Sequence, residues 1–548
     1  PVVVLPYGGF YNTATNKMLN YVVRNSLSYT KVWDTDRTHE LSVLGGMEIR
    51  STDRRVNSTT GYGYQYDGGG VVSLDPKLME MLVYRQSPYY MMEDTYERNA
   101  AFYANADYTF DRRYSISASA RYDGSNQLGR GAAKRWLPTW TFAGKWIISN
   151  EAFMENASRI VDFMSLRASY GLTANIPPSA SNAMALYYNQ ELYRPGNAEV
   201  GITLADLQNT ELTWEKNYQL NVGFDLTLFG GRLDFNVDYF NRQGFDLISQ
   251  IKVAGIGGFM WKNANYADLD SQGVDITLGG KMISTKDWTW SAHFTFGYSK
   301  NIIRNAKNSP EVFELVRQEG GNKNNYPVNS LFSIPFAGLN PETGIPMFYN
   351  EKGEIGYDCY MQGIETDFLK YEGQIDPKYT GGLNTTLRWK SLSMNLFFTF
   401  QAGNVIRLNP VFSSSYSDIT ALPNEFKDRW IMSGDEQRTD IPAIADNLMQ
   451  KLYLSSAYPY NNYNYSSARV AKGDFIRLKS LSINYELPSA LVRKSRVFKR
   501  AAVRLTAKDL WLMYSDKALN GQDPEFFNTG GVAMPVQTQF VLSLDLGF

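Results

Sequence analysis

Residues 219–228 read Gln, Leu, Asn, Val, Gly, Phe, Asp, Leu, Thr, Leu, so every even position is apolar and no odd position is large and apolar. Strict alternation of this kind gives a strand one apolar and one polar face. The pattern recurs. Phe102, Ala104, Ala106, Tyr108 and Phe110 alternate with Tyr103, Asn105, Asp107 and Thr109. Trp288, Trp290, Ala292, Phe294, Phe296 and Tyr298 alternate with Thr289, Ser291, His293, Thr295, Gly297 and Ser299. Leu392, Met394, Leu396, Phe398 and Phe400 do the same, with Phe397 the one break on the polar face. The spacing predicts about fifteen strands, near 19–33, 38–50, 97–110, 113–123, 135–149, 162–174, 211–229, 231–243, 262–280, 287–301, 378–389, 392–404, 473–487, 499–512 and 537–548. Many exceed the roughly 5–6 residues of an ordinary strand, as a tilted strand crossing a bilayer must.

The connections alternate in length. Short turns fall at Asp34–Arg37, Asp111–Arg112, Gly230–Gly231, Lys281–Asp287 and Lys390–Ser391, with moderate ones near 150–161 and 488–498 in equivalent places. Long segments lie between them, at 51–96, 175–210, 302–377, 405–472 and 513–536. Outer-membrane barrels have tight periplasmic turns and long outer loops. The predicted fold class is therefore all-β, a transmembrane antiparallel β-barrel. If the last strand ends in the periplasm, the first begins outside. An outside start and an odd strand count both predict further strands upstream, because single-chain bacterial barrels use even numbers. The rival architecture is a large soluble all-β protein. No repeat of fixed period is present, which argues against a propeller.

Composition sharpens this picture. Aromatic residues make up 14% of the 548, with 37 Tyr, and mean hydropathy is −0.35 although 43% of residues are hydrophobic. Strands that face lipid on one side and water on the other have this balance. Lys and Arg number 54 against 55 Asp and Glu, with no basic block, so nucleic acid is not an expected partner. The single cysteine, Cys359, excludes a disulfide within the chain and a cysteine cage for metal. There are two histidines, His39 and His293, so a catalytic histidine is a poor candidate. No apolar run reaches the ~18 residues of a membrane helix. The first residues, Pro1 to Pro6, lack the basic start and long apolar centre of a signal peptide, and strand parity suggests a chain that begins mid-protein.

At the other end, Phe540, Leu542, Leu544 and Leu546 alternate up to a terminal Phe548. A terminal aromatic on an amphipathic last strand is similar to the targeting signal read by outer-membrane assembly machinery.

Several segments carry a family resemblance. Ser165-Leu166-Arg167-Ala168-Ser169-Tyr170-Gly171 precedes Thr173 and Asn175, and Asn209-Thr210-Glu211-Leu212-Thr213-Trp214-Glu215-Lys216 leads into the next strand. Asn263-Ala264-Asn265 runs on to Gly273-Val274-Asp275, and Pro377-Lys378-Tyr379-Thr380-Gly381-Gly382 opens another strand. Gly473-Asp474-Phe475-Ile476-Arg477-Leu478-Lys479-Ser480-Leu481 is followed by Asp509-Leu510 and by Gly521-Gln522-Asp523-Pro524-Glu525. In this order the set resembles the SusC/RagA family of TonB-linked outer-membrane proteins. It departs at Asp509, where that family more often has Asn, and at Asp275, where it more often has Glu. The resemblance covers most of the chain from about residue 100. It implies a 22-stranded barrel of which this chain is the C-terminal part, 1–548 forming one barrel domain. The N-terminal extension, plug and first strands would lie upstream. It also implies a SusD-like surface lipoprotein as lid, TonB as the energy source, outer-membrane lipids around the barrel, and a dimer of transporter–lid pairs as one assembly.

Candidate chemistry is sparse. Asp268-Leu269-Asp270-Ser271-Gln272-Gly273 looks like half of a calcium loop, but Gly279 stands where the closing acid is needed, so the strand reading is preferred. No metalloprotease, P-loop or dinucleotide motif is present, and neither enzyme activity, cofactor nor metal is expected. Binding residues are easier to nominate. Tyr460, Asn462, Tyr463 and Tyr465 fall in a long outer connection, with Tyr453 and Tyr458 nearby. Aromatic faces stack on sugar rings, Asn amides both donate and accept, and Tyr equally suits a protein interface or packing at the rim. Ligand, lid and packing all remain open for these residues. Tyr62, Tyr64 and Tyr66 lie in a Gly-rich stretch, Gly61 to Gly70, read first as a mobile loop tip and second as a contact surface. Trp140, Trp146, Trp288, Trp290 and Trp389 read as interface anchors. Asn221, Asp225, Asp234, Asn236 and Asp238 would line a wet lumen. The resemblance implies import of large nutrients, oligosaccharides first and, as in the RagA branch, oligopeptides second, and the Tyr- and Asn-rich loops lean slightly towards glycan. A scaffold barrel that transports nothing is the alternative.

Overall fold

The computed structural model describes residues 7–34, 38–67, 69–72, 75–84, 89–129, 131–177, 185–194, 197–255, 258–413, 416, 422, 424–445, 448, 458–494, 497–526 and 537–547. Among them one sheet of fifteen strands follows chain order, each strand beside its predecessor. Its members are β1 (Gly9–Val32), β2 (His39–Tyr64), β3 (Tyr90–Phe110), β4 (Tyr114–Ser125), β5 (Trp136–Ile147), β6 (Val161–Asn175), β7 (Glu215–Leu228) and β8 (Leu233–Lys252). They continue with β9 (Trp261–Ser284), β10 (Trp288–Arg304), β11 (Tyr379–Trp389), β12 (Leu392–Ala402), β13 (Phe475–Glu486), β14 (Arg500–Tyr514) and β15 (Gln539–Gly547). Every strand predicted from alternation is present. No helix among the described residues is long and apolar enough to cross a membrane.

Backbone contacts divide the chain into two units. One comprises residues 1–144, 170–218 and 244–267; the other comprises 145–169, 219–243 and 268–548. In the first, β1 pairs antiparallel with β2 from Gly9 opposite Tyr64 to Val32 opposite Glu40. These strands run well past the predicted limits of 19 and 50, and β3 begins at Tyr90 instead of 97. The extra pairing carries Asp53, Arg54, Arg55, Asn57, Ser58 and Thr59. Beyond the membrane both faces of a strand are wet, so the hydrogen-bonded ladder continues while the alternation that announces it stops.

In the second unit β10, β11 and β12 pair in register, Trp288 opposite Trp389 and Phe398 opposite Leu383. The apolar faces of the strands are not sealed in a core. Ile116 is 60% exposed, Phe142 59% and Leu542 73%, as expected of side chains that meet lipid. Buried apolar clusters lie in the connections instead. Leu128, Leu212 and Trp214 form one in the first unit. In the second, Val312, Leu315, Phe332, Phe348, Phe412 and Tyr463 belong to a larger one.

Among the described residues several of the long connections carry secondary structure of their own. A hairpin of Ala185–Arg194 with Asn197–Asp206 occupies 175–210. In 302–377, Ser330–Ser333 pairs with Lys370–Gln374, and Phe336–Leu339, Pro346–Tyr349 and Ile355–Gly356 form a small sheet. Val405–Arg407 pairs with Val470–Lys472, closing the base of 405–472. Arg407 is wholly buried. Its guanidinium donates to the carbonyls of Val316 (3.1 Å), Ser466 (2.6 Å) and Phe332 (2.6 Å) and to Ser333 Oγ (3.0 Å), tying three segments together.

Candidate binding surfaces of the inner wall and the loops

On β6, β7 and β8 the polar face carries a hydrogen-bonded cluster and two smaller sets of bonds. Arg167 donates to Asp225 (2.8 Å) and Asp238 (2.5 Å), Ser165 donates to Asp225 (3.0 Å), and Asn236 donates to the same carboxylate (2.5 Å). Thr227 donates to Asp234 (3.0 Å), and Asn221 bridges Gln219 and Ser169. Of the five residues expected on the polar face, Asp225, Asn236 and Asp238 lie in the Arg167 cluster, while Asp234 and Asn221 make separate bonds. Arg167 and Ser165, which join the cluster together, were not nominated; their place opposite Asp225 follows from strand pairing, which alternation does not report.

A second polar centre lies in the other unit. Glu48 is buried, and Arg24, Arg50 and Arg121 converge on its carboxylate, with Arg24 Nε at 2.8 Å and the Arg50 and Arg121 guanidinium nitrogens at 3.7 and 3.6 Å. Sequence reading missed this group, because its members are far apart in the chain.

The Tyr- and Asn-rich segment divides by burial. Tyr460, Asn462 and Tyr463 are buried, on a short helix Pro459–Asn464. Tyr460 donates to the Ala443 carbonyl (2.7 Å), and Tyr463 meets Phe412 and Phe336 edge-on at 5.1 and 5.7 Å between centroids. Burial pushes both phenols above the ordinary tyrosine range. In this fold these three side chains serve the loop core, and neither tyrosine offers a ring face at the surface. Tyr465 is half-buried against Phe313, and Tyr458, 70% exposed, presents a free ring. Tyr453 lies outside the described residues.

In the stretch from Gly61 the described tyrosines pack on other rings. Tyr62 and Tyr64 are in β2, Tyr64 stacks on Tyr11 at 4.7 Å, and Tyr62 packs edge-on against Phe10. Tyr66 sits on the Tyr64 ring and donates to the Phe10 carbonyl (3.3 Å) while remaining well exposed. Aromatic stacking and the bond from Gln65 N to Val71 O (3.0 Å) order this hairpin end.

Elsewhere the side chains are committed to structure. Asp268 and Asp270 accept from Asn305 and Arg304 within a strand environment. Among the described residues no group of three or more His, Cys, Asp or Glu could hold a metal ion. The Cys359 thiol is buried, and burial pushes its pKa up to about 12, which keeps it protonated and unreactive. Trp288 and Trp389 are exposed and stack at 5.8 Å across paired strands, whereas Trp146 donates to Glu151 (2.8 Å). Of the terminal residues, Phe540, Leu542 and Leu544 are exposed on β15 and Leu546 is half-buried; Phe548 lies outside the described residues.

The ordered motifs acquire physical reasons. Arg477 and Asp523, from two of them, form a buried ion pair at 2.5 Å, joined by Glu525 at 3.0 Å. Lys479 pairs with Asp509 at 2.6 Å, and Asp509 has φ 50°, a left-handed conformation that Asn and Asp tolerate better than most residues. Asn209 donates to the Asn263 carbonyl (2.8 Å), and Asn265 accepts from Thr213 N (3.1 Å).

Lipid-exposed apolar faces, a hydrogen-bonded polar face and folded long connections define an outer-membrane-type β-barrel. Residues 7–409, more than half of the chain, match the family described as TonB dependent receptor-like, beta-barrel. The chain belongs to that family. TonB-dependent receptor P3 of Formosa agariphila is 26% identical over 552 residues, covering 96% of this chain and 51% of that protein. TonB-dependent receptor SusC of Bacteroides thetaiotaomicron is 24% identical over 235 residues, 42% of this chain and 22% of that one. The structure of the RagAB peptide transporter superposes with a TM-score of 0.79 at 23% identity, covering 98% of this chain and 56% of that chain. The chain spans about half the length of the curated relatives it matches.

Proposed function

We propose that this chain is the barrel portion of a TonB-powered outer-membrane importer of large hydrophilic nutrients, with oligosaccharides as the first substrate class. The observation that carries this reading is the two-faced wall. Apolar side chains such as Leu166 and Val222 are exposed on one face of β6 and β7, and the Arg167–Asp225–Asp238 network occupies the other. A wall of that kind satisfies its backbone in lipid while presenting fixed donors and acceptors to a polar solute. The folded connections supply a rigid platform for a SusD-like lid lipoprotein, with Tyr458 and Tyr66 as exposed rings for lid or sugar. TonB would act through a portion upstream of this chain. The transporting assembly is a pair of such barrels, each with its lid.

The test uses the full-length receptor extracted in mild detergent. Co-purification of a surface lipoprotein, with an oligosaccharide identified by mass spectrometry, supports the reading. A bound oligopeptide would move the substrate class. Neither lipoprotein nor ligand, with unimpaired growth of a deletion strain on polymeric nutrients, would leave a scaffold barrel instead.

A further inference from the structure

The apolar face of β2–β5 carries a pocket of about 260 Å³. Register fixes which side of the sheet it occupies. Ile49 is opposite Ala100, and Ala100 is opposite Gly124, so all three share the face that also bears Met47, Phe102 and Tyr122. These last three are exposed, as lipid-facing side chains are. Trp136 closes one side and stacks on Tyr122 at 5.0 Å. A β-carbon on Gly124 would collide with the indole, so the glycine lets Trp136 lie against the sheet.

Charge begins at this level. Towards the short turns the face is apolar, through Val43, Met47, Phe102 and Ile116. Towards the long connections the same face carries Asp53, Arg55, Asp94 and Arg98. The change from apolar to charged marks the boundary between hydrocarbon and headgroups, and the pocket straddles it. Of the three arginines that line it, Arg50 alternates with Ile49 and approaches Glu48 at 3.7 Å, which leaves Arg98 and Arg135 for this face. Arg98 is half-neutralised by Asp53 at 2.6 Å and donates to the carbonyls of Glu97 (2.9 Å) and Thr52 (3.3 Å). Arg135 is exposed and uses Nε on the Gly129 carbonyl (3.1 Å), which leaves its terminal nitrogens directed to no acid among the described residues. With Asp53 counted, the pocket keeps a surplus positive charge above an apolar floor.

We propose that this pocket binds a phosphorylated lipid of the outer leaflet. The phosphate is held by Arg135 and Arg98, and an acyl chain runs down over Ile49, Ala100 and Phe102. Guanidinium groups recognise phosphate through paired, charge-assisted hydrogen bonds, and an aromatic ring at the interface supports the headgroup. The apolar floor distinguishes a lipid from free phosphate, which has nothing to place there.

The experiment is native mass spectrometry of the full-length receptor in detergent, titrated separately with diphosphorylated lipid A, dephosphorylated lipid A and inorganic phosphate. The expected result is a retained adduct with diphosphorylated lipid A only, weakened about tenfold by Arg135→Gln or Arg98→Gln, the loss of one charge-assisted contact. Arg55→Gln, whose partner Asp94 lies further out, leaves the adduct unchanged. Heat-modified gel migration of each variant reports folding independently. Equal retention by Arg135→Gln and wild type overturns the proposal. So does protection by inorganic phosphate alone, or an apolar face covered by a second copy of the receptor with no lipid retained.

Discussion

The guanidinium of Arg167 lies where a β-carbon on Gly223 would project, held between Asp225 and Asp238. The glycine interrupts the side-chain row of β7 so that an arginine on β6 can reach a carboxylate on β8. Gly223→Ala should therefore displace Arg167 and cost about 1–3 kcal/mol, the usual range for overpacking. The check is urea unfolding of the full-length receptor in lipid vesicles. In an Arg167→Ala background the same glycine change should cost far less, and equal costs in both backgrounds would refute the steric account.

Tyr463 and Tyr458 lie five positions apart in the chain yet have opposite roles. Tyr463 is 1% exposed and Tyr458 is 70% exposed. Tyr463→Ala should destabilise the loop core by about 3–5 kcal/mol, as removal of a buried aromatic does, and speed proteolysis between residues 302 and 472 while the strands stay resistant. Tyr458→Ala should change stability by less than about 0.5 kcal/mol. Its effect, if Tyr458 serves the lid or the ligand, appears in lipoprotein or sugar binding.

Asp435 accepts from the backbone N–H groups of Ile431 and Met432, both at 3.0 Å, and pairs with Arg438. The two backbone bonds hold its carboxyl below the usual aspartate range. The stabilisation is complete above the unfolded-state value, about pH 4, and is lost as pH falls through the lower folded-state value. Asp435→Asn should accordingly loosen residues 431–438 at neutral pH, and the difference from wild type should vanish on strong acidification. Hydrogen exchange across that turn at several pH values measures it.

Leu542 and Ser543 are neighbours on opposite faces of β15. Leu542→Arg places a cation in lipid and should cost up to about 2–4 kcal/mol, less if the site lies near the interface. Ser543→Arg should be tolerated. Comparable loss in both variants, read as the folded fraction after insertion into vesicles, would show that the alternating apolar side chains do not meet hydrocarbon.

All fifteen strands of the sheet were legible because lipid on one face and water on the other force a period of two on the chain, as at Leu220, Val222, Phe224 and Leu226. The ends of β1 and β2 were not legible, since residues such as Asp53 and Ser58 pair where both faces are wet and nothing enforces alternation. The tyrosines of the long connections looked alike in sequence. Only folding separates Tyr463, sealed against Phe412, from Tyr458 in solvent, because a loop core is assembled from segments a hundred residues apart and leaves no local period. The sequence by itself determined the strand order, the lipid-facing side chains and the family. Tertiary structure decided which polar residues meet, such as Arg167 with Asp225 or Glu48 with three arginines, because those pairings depend on register across strands rather than on spacing along one.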